Sequence, residues 1–89
     1  MTEQETIDLI DRSLVEEFEL EPGDLKPEAR LVDDLELDSL DFVDMVVVLQ
    51  NAFSLKLRDD EGIRKIETLG DLHRFIIAKQ QETEAGADS

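Results

Sequence analysis

The chain has 89 residues, with 24 Asp and Glu against 9 Lys and Arg, a net charge of -15 and no cysteine. That length fits one small domain, and the absence of cysteine excludes disulfides, thiolate metal sites and a cysteine nucleophile. The charge argues against nucleic acid, where affinity comes from Lys and Arg displacing phosphate counterions, and equally against anionic membranes.

Two readings of the acidity remain: it serves only solubility, or it steers the chain toward a protein with a basic patch. The amino-terminal MTEQETIDLI lacks the basic region and apolar run of a signal peptide. No stretch approaches the roughly 20 apolar residues that cross a bilayer. A cytoplasmic protein without membrane insertion is the expectation.

Thr2 followed three residues later by Glu5 is a capping-box pattern. Ile7, Ile10, Leu14 and Phe18 then recur at helical spacing, which predicts a first helix over residues 3–18. Pro22, Gly23 and Pro27 break it. Residues 19–38 form a long loop, which a small domain tolerates when it is anchored or functional. Leu20, Leu25, Leu31, Val32 and Leu35 are the candidate anchors.

Asp38 or Ser39 can cap a second helix that runs to about Phe53. A connection over 54–60 leads to a short helical turn from Asp60 to Ile66, weakened by Gly62. Thr68 and Asp71 can cap a last helix that buries Leu72, Phe75 and Ile76 and ends near Lys79. The polar residues from Gln81 onward are expected to fray. The pattern predicts an all-α domain: a small four-helix bundle with three main helices, one short helix and a long loop between the first and second.

The second helix carries two apolar stripes. At 100° per residue, Phe42, Met45, Val46, Leu49 and Phe53 gather on one side, which must face the core. Leu40, Val43 and Val47 form another stripe on roughly the opposite side, with Asp44 and Asn51 alongside and Asp41 at the edge. That stripe either packs under the long loop or docks a partner. Residues 31–55 contain Asp33, Asp34, Glu36, Asp38, Asp41 and Asp44 and no base. Acids close to a helix N-terminus gain about 0.3–1 kcal/mol each from the dipole, whereas Asp44, a turn further in, gains little. Its charge calls for another reason.

The run Leu35-Glu36-Leu37-Asp38-Ser39-Leu40-Asp41 resembles the Asp-Ser-Leu signature of acyl carrier proteins, whose serine bears 4′-phosphopantetheine. The order of elements over residues 3–80 is similar to the family's. Ile66-Glu67-Thr68-Leu69-Gly70-Asp71-Leu72 also resembles the family's entry into its last helix. The resemblance implies an acyl carrier domain over 1–80 and a disordered tail over 81–89.

It further implies that Ser39, with Asp38 beside it, is the site of the covalent cofactor, 4′-phosphopantetheine taken from coenzyme A. A serine hydroxyl without a base is a poor nucleophile. Ser39 is therefore expected to be the substrate of a phosphopantetheinyl transferase and the chain a non-catalytic monomer. The arm's thiol, which the chain itself lacks, then holds acyl groups as thioesters for fatty-acid, lipid or polyketide biosynthesis. Leu40, Asp41, Val43 and Asp44 match family positions for partner recognition, and Val47 extends their stripe. The implied partners are acyl-ligase, ketosynthase or acyltransferase-type enzymes with basic docking patches. Phe42, Met45, Val46 and Leu49 are implied as acyl-chain pocket or as plain core.

The chain departs from the pattern at several positions. Glu36 stands where the family often has glycine, and Asp44 where glutamate is more frequent. Phe42 is bulkier than usual, and Gln50 and Asn51 replace commonly acidic positions. These departures point to a specialised carrier serving a dedicated synthase or a lipid-modification pathway. Other readings stay open: an acidic helical interaction protein without a prosthetic group, or a peptidyl or D-alanyl carrier, although Glu36-Leu37-Asp38-Ser39 differs from the Gly-Gly-x-Ser of peptidyl carriers. Residues 33–44 are a poor calcium loop, with no glycine and an aspartate in the twelfth position, so no metal site is expected. The single histidine, His73, is expected at the surface or its boundary.

Overall fold

Helical periodicity and capping residues produce three α-helices in a computed structural model that describes residues 2–57 and 61–87, with side chains as far as residue 82. They are α1 (Glu3–Phe18), α2 (Ser39–Phe53) and α3 (Leu69–Ala87). Single 3-10 turns occupy Pro22–Asp24 and Glu61–Lys65. The short fourth helix expected from the sequence is thus a five-residue 3-10 turn, and Asp60, its expected start, lies outside the described residues. Among the described residues there is no strand, only an isolated antiparallel bridge between Arg30 and Thr68. No described helix is long and apolar enough to cross a membrane.

The first helix starts where the capping pair requires. The Glu5 amide donates to Thr2 Oγ1 at 3.1 Å, and the Thr2 amide donates to Glu5 Oε1 at 2.9 Å. Thr6, Ile10 and Leu14, one turn apart, are fully buried. Thr6 was not legible as a core residue because it is polar. Its hydroxyl lies 3.0 Å from the Thr2 carbonyl and 2.6 Å from Gln80 Oε1, so it is buried with partners.

His73 also departs from expectation: it is buried on α3, and its Nε2 lies 2.8 Å from Asp11 Oδ1 on α1. These two polar contacts join α1 to α3.

The long loop is tied to the start of α3. Leu31 N donates to Glu67 O at 3.0 Å, Leu69 N to Ala29 O at 2.9 Å and Gly70 N to Pro27 O at 2.9 Å. The last two bonds satisfy amides at the beginning of α3, where a helix has no internal acceptors. Gly70 permits this approach, since a Cβ there would sit 3.0 Å from the Pro27 carbonyl oxygen. Of the expected anchors, Leu31 and Leu35 are buried, and Leu20 and Leu25 pack partly against the core. Val32 is not an anchor; it is 60% exposed, and Leu37 is buried in addition. Leu35 and Leu37 are both buried, with Glu36 between them in the left-handed region at φ 58°.

The last helix runs to Ala87, past the Lys79 end expected from the sequence. Asp88 and Ser89, at the end of the expected tail over 81–89, lie outside the described residues. The shared core is formed by Ile10 and Leu14 of α1, Met45, Val46 and Leu49 of α2, and Leu69, Leu72 and Ile76 of α3, closed by Leu31, Leu35, Leu37 and Leu57.

Candidate functional site

Asp38 sets the start of α2. Its backbone is extended (φ -90°, ψ -174°), and its Oδ1 accepts from the Asp41 amide at 2.9 Å. Asp41 Oδ2 in turn accepts from the Asp38 amide at 3.3 Å. Asp38 is therefore the cap, and Ser39 is the first residue of the helix proper. This separates the two candidates that the sequence left open. The Ser39 residue is exposed, and among the described residues its hydroxyl has no hydrogen-bond partner.

The surroundings of Ser39 are apolar on one side and acidic on the other. A groove of about 550 Å³ beside it is lined by Val32, Leu37, Asp38, Ser39, Phe42 and Val43. A second cavity of about 230 Å³, lined by Phe42, Val43, Val46 and Ile63, shares two of those residues. Val32, Leu37 and Ile63 were not read from the sequence as belonging here. They lie in loop or turn, where helical periodicity gives no signal.

The two stripes of α2 separate by burial. Met45, Val46 and Leu49 are buried, and Phe42 is half-buried. On the other side Leu40 is 76% and Val43 53% exposed, Asp44 is exposed, and Asp41 and Val47 are half-buried. Two large aliphatic side chains are thus exposed among carboxylates on this side of the helix. Gln50 turns back toward the chain, and its Oε1 accepts from the Leu57 amide at 3.1 Å. Its lost acidity therefore coincides with a structural contact; Asn51 is exposed.

Among the described residues, no side chain is hydrogen-bonded to Ser39 as a general base would be. His73 is buried against Asp11 on the far helices, and Asp38 and Asp41 are engaged with one another's backbone. Among the described residues, no three His, Cys, Asp or Glu side chains gather as metal ligands do.

A phosphate-linked arm fits this position. An exposed, unpartnered hydroxyl at the first residue of a helix lies at the positive end of the dipole, near amides without internal acceptors. The apolar groove runs beside it. The family profile described as the phosphopantetheine attachment site matches residues 8–76 of the chain. The acyl carrier protein of Helicobacter hepaticus is 34% identical over 76 residues, 85% of this chain and 99% of that protein. The acyl carrier protein of Wolinella succinogenes is 39% identical over 69 residues, 78% of this chain and 90% of that protein. The family match includes the capped serine and reaches into both flanking helices, the relatives are matched over 90–99% of their length, and the chain belongs to the acyl carrier protein family.

Proposed function

We propose that this protein carries acyl groups as thioesters on a 4′-phosphopantetheine arm attached to Ser39 Oγ. The observation that carries the assignment is the division of labour at the start of α2. Asp38 supplies the cap, which leaves the neighbouring hydroxyl exposed and unpartnered among the described residues. The arm supplies a thiol, which the chain lacks. The chain supplies position: Asp38 and Asp41 fix the first turn, and the helix N-terminus stabilises the phosphodiester charge.

Ser39 is a substrate and not a nucleophile of its own, because among the described residues no side chain accepts its proton in a hydrogen bond. A phosphopantetheinyl transferase supplies that chemistry. Leu40, Asp41, Val43, Asp44 and Val47 form the face that meets the transferase and the acyl-ligase, ketosynthase or acyltransferase-type partners. Its acids steer basic patches and its exposed Leu40 and Val43 provide apolar contact. Phe42, Met45, Val46 and Leu49 form the wall against which a carried chain packs.

The test is intact-mass measurement after incubation of the protein with coenzyme A and a broad-specificity transferase. Addition to the wild type and none to Ser39→Ala supports the proposal. Addition that survives the substitution overturns the assignment to Ser39, and no addition at all overturns it in favour of an acidic interaction protein without a prosthetic group.

The chain serves a dedicated synthase or lipid-modification pathway in place of bulk fatty-acid synthesis. Gln50 and Asn51 remove charge from the docking helix, and Phe42 adds bulk beside the serine. Efficient replacement of the housekeeping carrier in a reconstituted fatty-acid synthase would contradict this.

A further inference from the structure

Two spaces meet at two neighbouring side chains. The groove beside Ser39 and the smaller cavity over Val46 and Ile63 have only Phe42 and Val43 in common. Val43 is more than half exposed, so it forms the outer lip. Phe42 is half-buried and packs against the aliphatic core, so its ring forms the inner shared wall. An aromatic ring is large and rigid, with two side-chain torsions and little freedom to yield.

We propose that Phe42 sets the length of acyl chain this carrier shelters, by partitioning the groove that begins at Ser39 from the cavity that ends at Val46 and Ile63. The occupant is fixed by tethering: whatever fills the groove hangs from Ser39, so the inference rests on the attachment proposed above. With the ring in place, a short chain lies in the outer groove beside Val32 and Leu37. A longer chain is turned back toward solvent and toward the partner. The second space, about 230 Å³ and itself partly open to solvent, has room for roughly seven water- or methylene-sized groups at about 30 Å³ each. Removing the ring joins the two spaces.

The experiment uses the full chain loaded at Ser39 with hydrolysis-resistant amide analogues of straight acyl chains of increasing length. Loading is verified by intact mass, so a failure of attachment is seen before the comparison begins. Two readouts are taken for wild type, Phe42→Ala and Phe42→Leu: the thermal midpoint relative to the same variant carrying the bare arm, and the amide chemical shifts of Val46 and Ile63.

In wild type the midpoint should rise over the shortest chains and then level off, with Val46 and Ile63 unperturbed. In the variants the rise should continue to longer chains, by up to about 3–6 °C for each further methylene taken out of water, and both amides should shift. Phe42→Leu keeps the core filled, so it reports even if Phe42→Ala unfolds. Identical chain-length profiles in wild type and Phe42→Leu, or shifts at Val46 and Ile63 in wild type with long chains, would overturn the partition.

Discussion

Asp38 and Asp41 hold one another's backbone amides across Ser39, at 2.9 and 3.3 Å, so that the serine between them is structurally idle. A cap at this position is worth about 0.5–2 kcal/mol. Asp38→Ala should therefore lower unfolding free energy by about 1 kcal/mol in urea titration. Asp38→Asn, which keeps the accepting oxygen, should recover most of it. Equal loss in both variants would mean that the charge and not the cap fixes this turn.

Asp44 has no ion-pair partner among the described residues and sits beside exposed Val43. Reversing it should leave folding within about 0.5 kcal/mol, as for surface positions generally. Under low salt, Asp44→Lys should reduce kcat/KM of phosphopantetheinyl transfer several-fold. The deficit should shrink toward roughly 1 M salt, where the Debye length falls to about 3 Å. A deficit independent of salt would place Asp44 outside the steering face.

Gly70 brings the long loop against α3. An added Cβ would stand 3.0 Å from the Pro27 carbonyl oxygen, which the Gly70 amide itself holds at 2.9 Å. Backbone atoms cannot swing aside as a flexible side chain can. Gly70→Ala gains up to about 1 kcal/mol of helix propensity yet forces the loop outward, at a cost of about 1–3 kcal/mol. A net destabilisation in urea is expected. A more stable variant would show that the loop yields freely.

At the start of α3, Asp71 accepts from the Thr68 and Glu67 amides, and these bonds hold its carboxyl below the ordinary 3.8. A lowered folded-state pKa contributes stability that is complete above the unfolded value and is lost as pH falls through the folded one. The stability gap between wild type and Asp71→Ala should thus be constant at neutral pH and close below about pH 4. The comparison isolates this carboxyl from the relief of charge repulsion that acid brings to a chain of net charge -15. A gap that widens on acidification would contradict the sign.

The sequence disclosed those features that obey local rules. Thr2 with Glu5, and Thr68 with Asp71, announce their helices through capping spacing. The stripe of Met45, Val46 and Leu49 shows its burial through period. What it hid depends on tertiary contact. Thr6 and His73 are polar yet buried, because Gln80 and Asp11 from partner helices satisfy them. Val32 is apolar yet exposed, because the turn after Arg30 directs it away from the core and toward the Ser39 groove.

The departure at Glu36 acquires a physical meaning in the same way. The residue occupies the left-handed region at φ 58°, where glycine carries no steric penalty. In the 3-10 turn at Glu61–Lys65, Ile63 is buried, and Ile66, three residues on, is buried with it, a spacing that this tighter turn satisfies.

The site of the arm is tested most directly by fragment-level mass spectrometry of the wild-type protein after reaction with coenzyme A and the transferase. The chain offers Ser13, Ser39, Ser54 and Ser89 as alternatives. Phosphopantetheine on Ser39 alone is the expected result, since that hydroxyl is exposed at the first residue of a capped helix. Its appearance on any other serine, with Ser39 unmodified, would contradict the assignment.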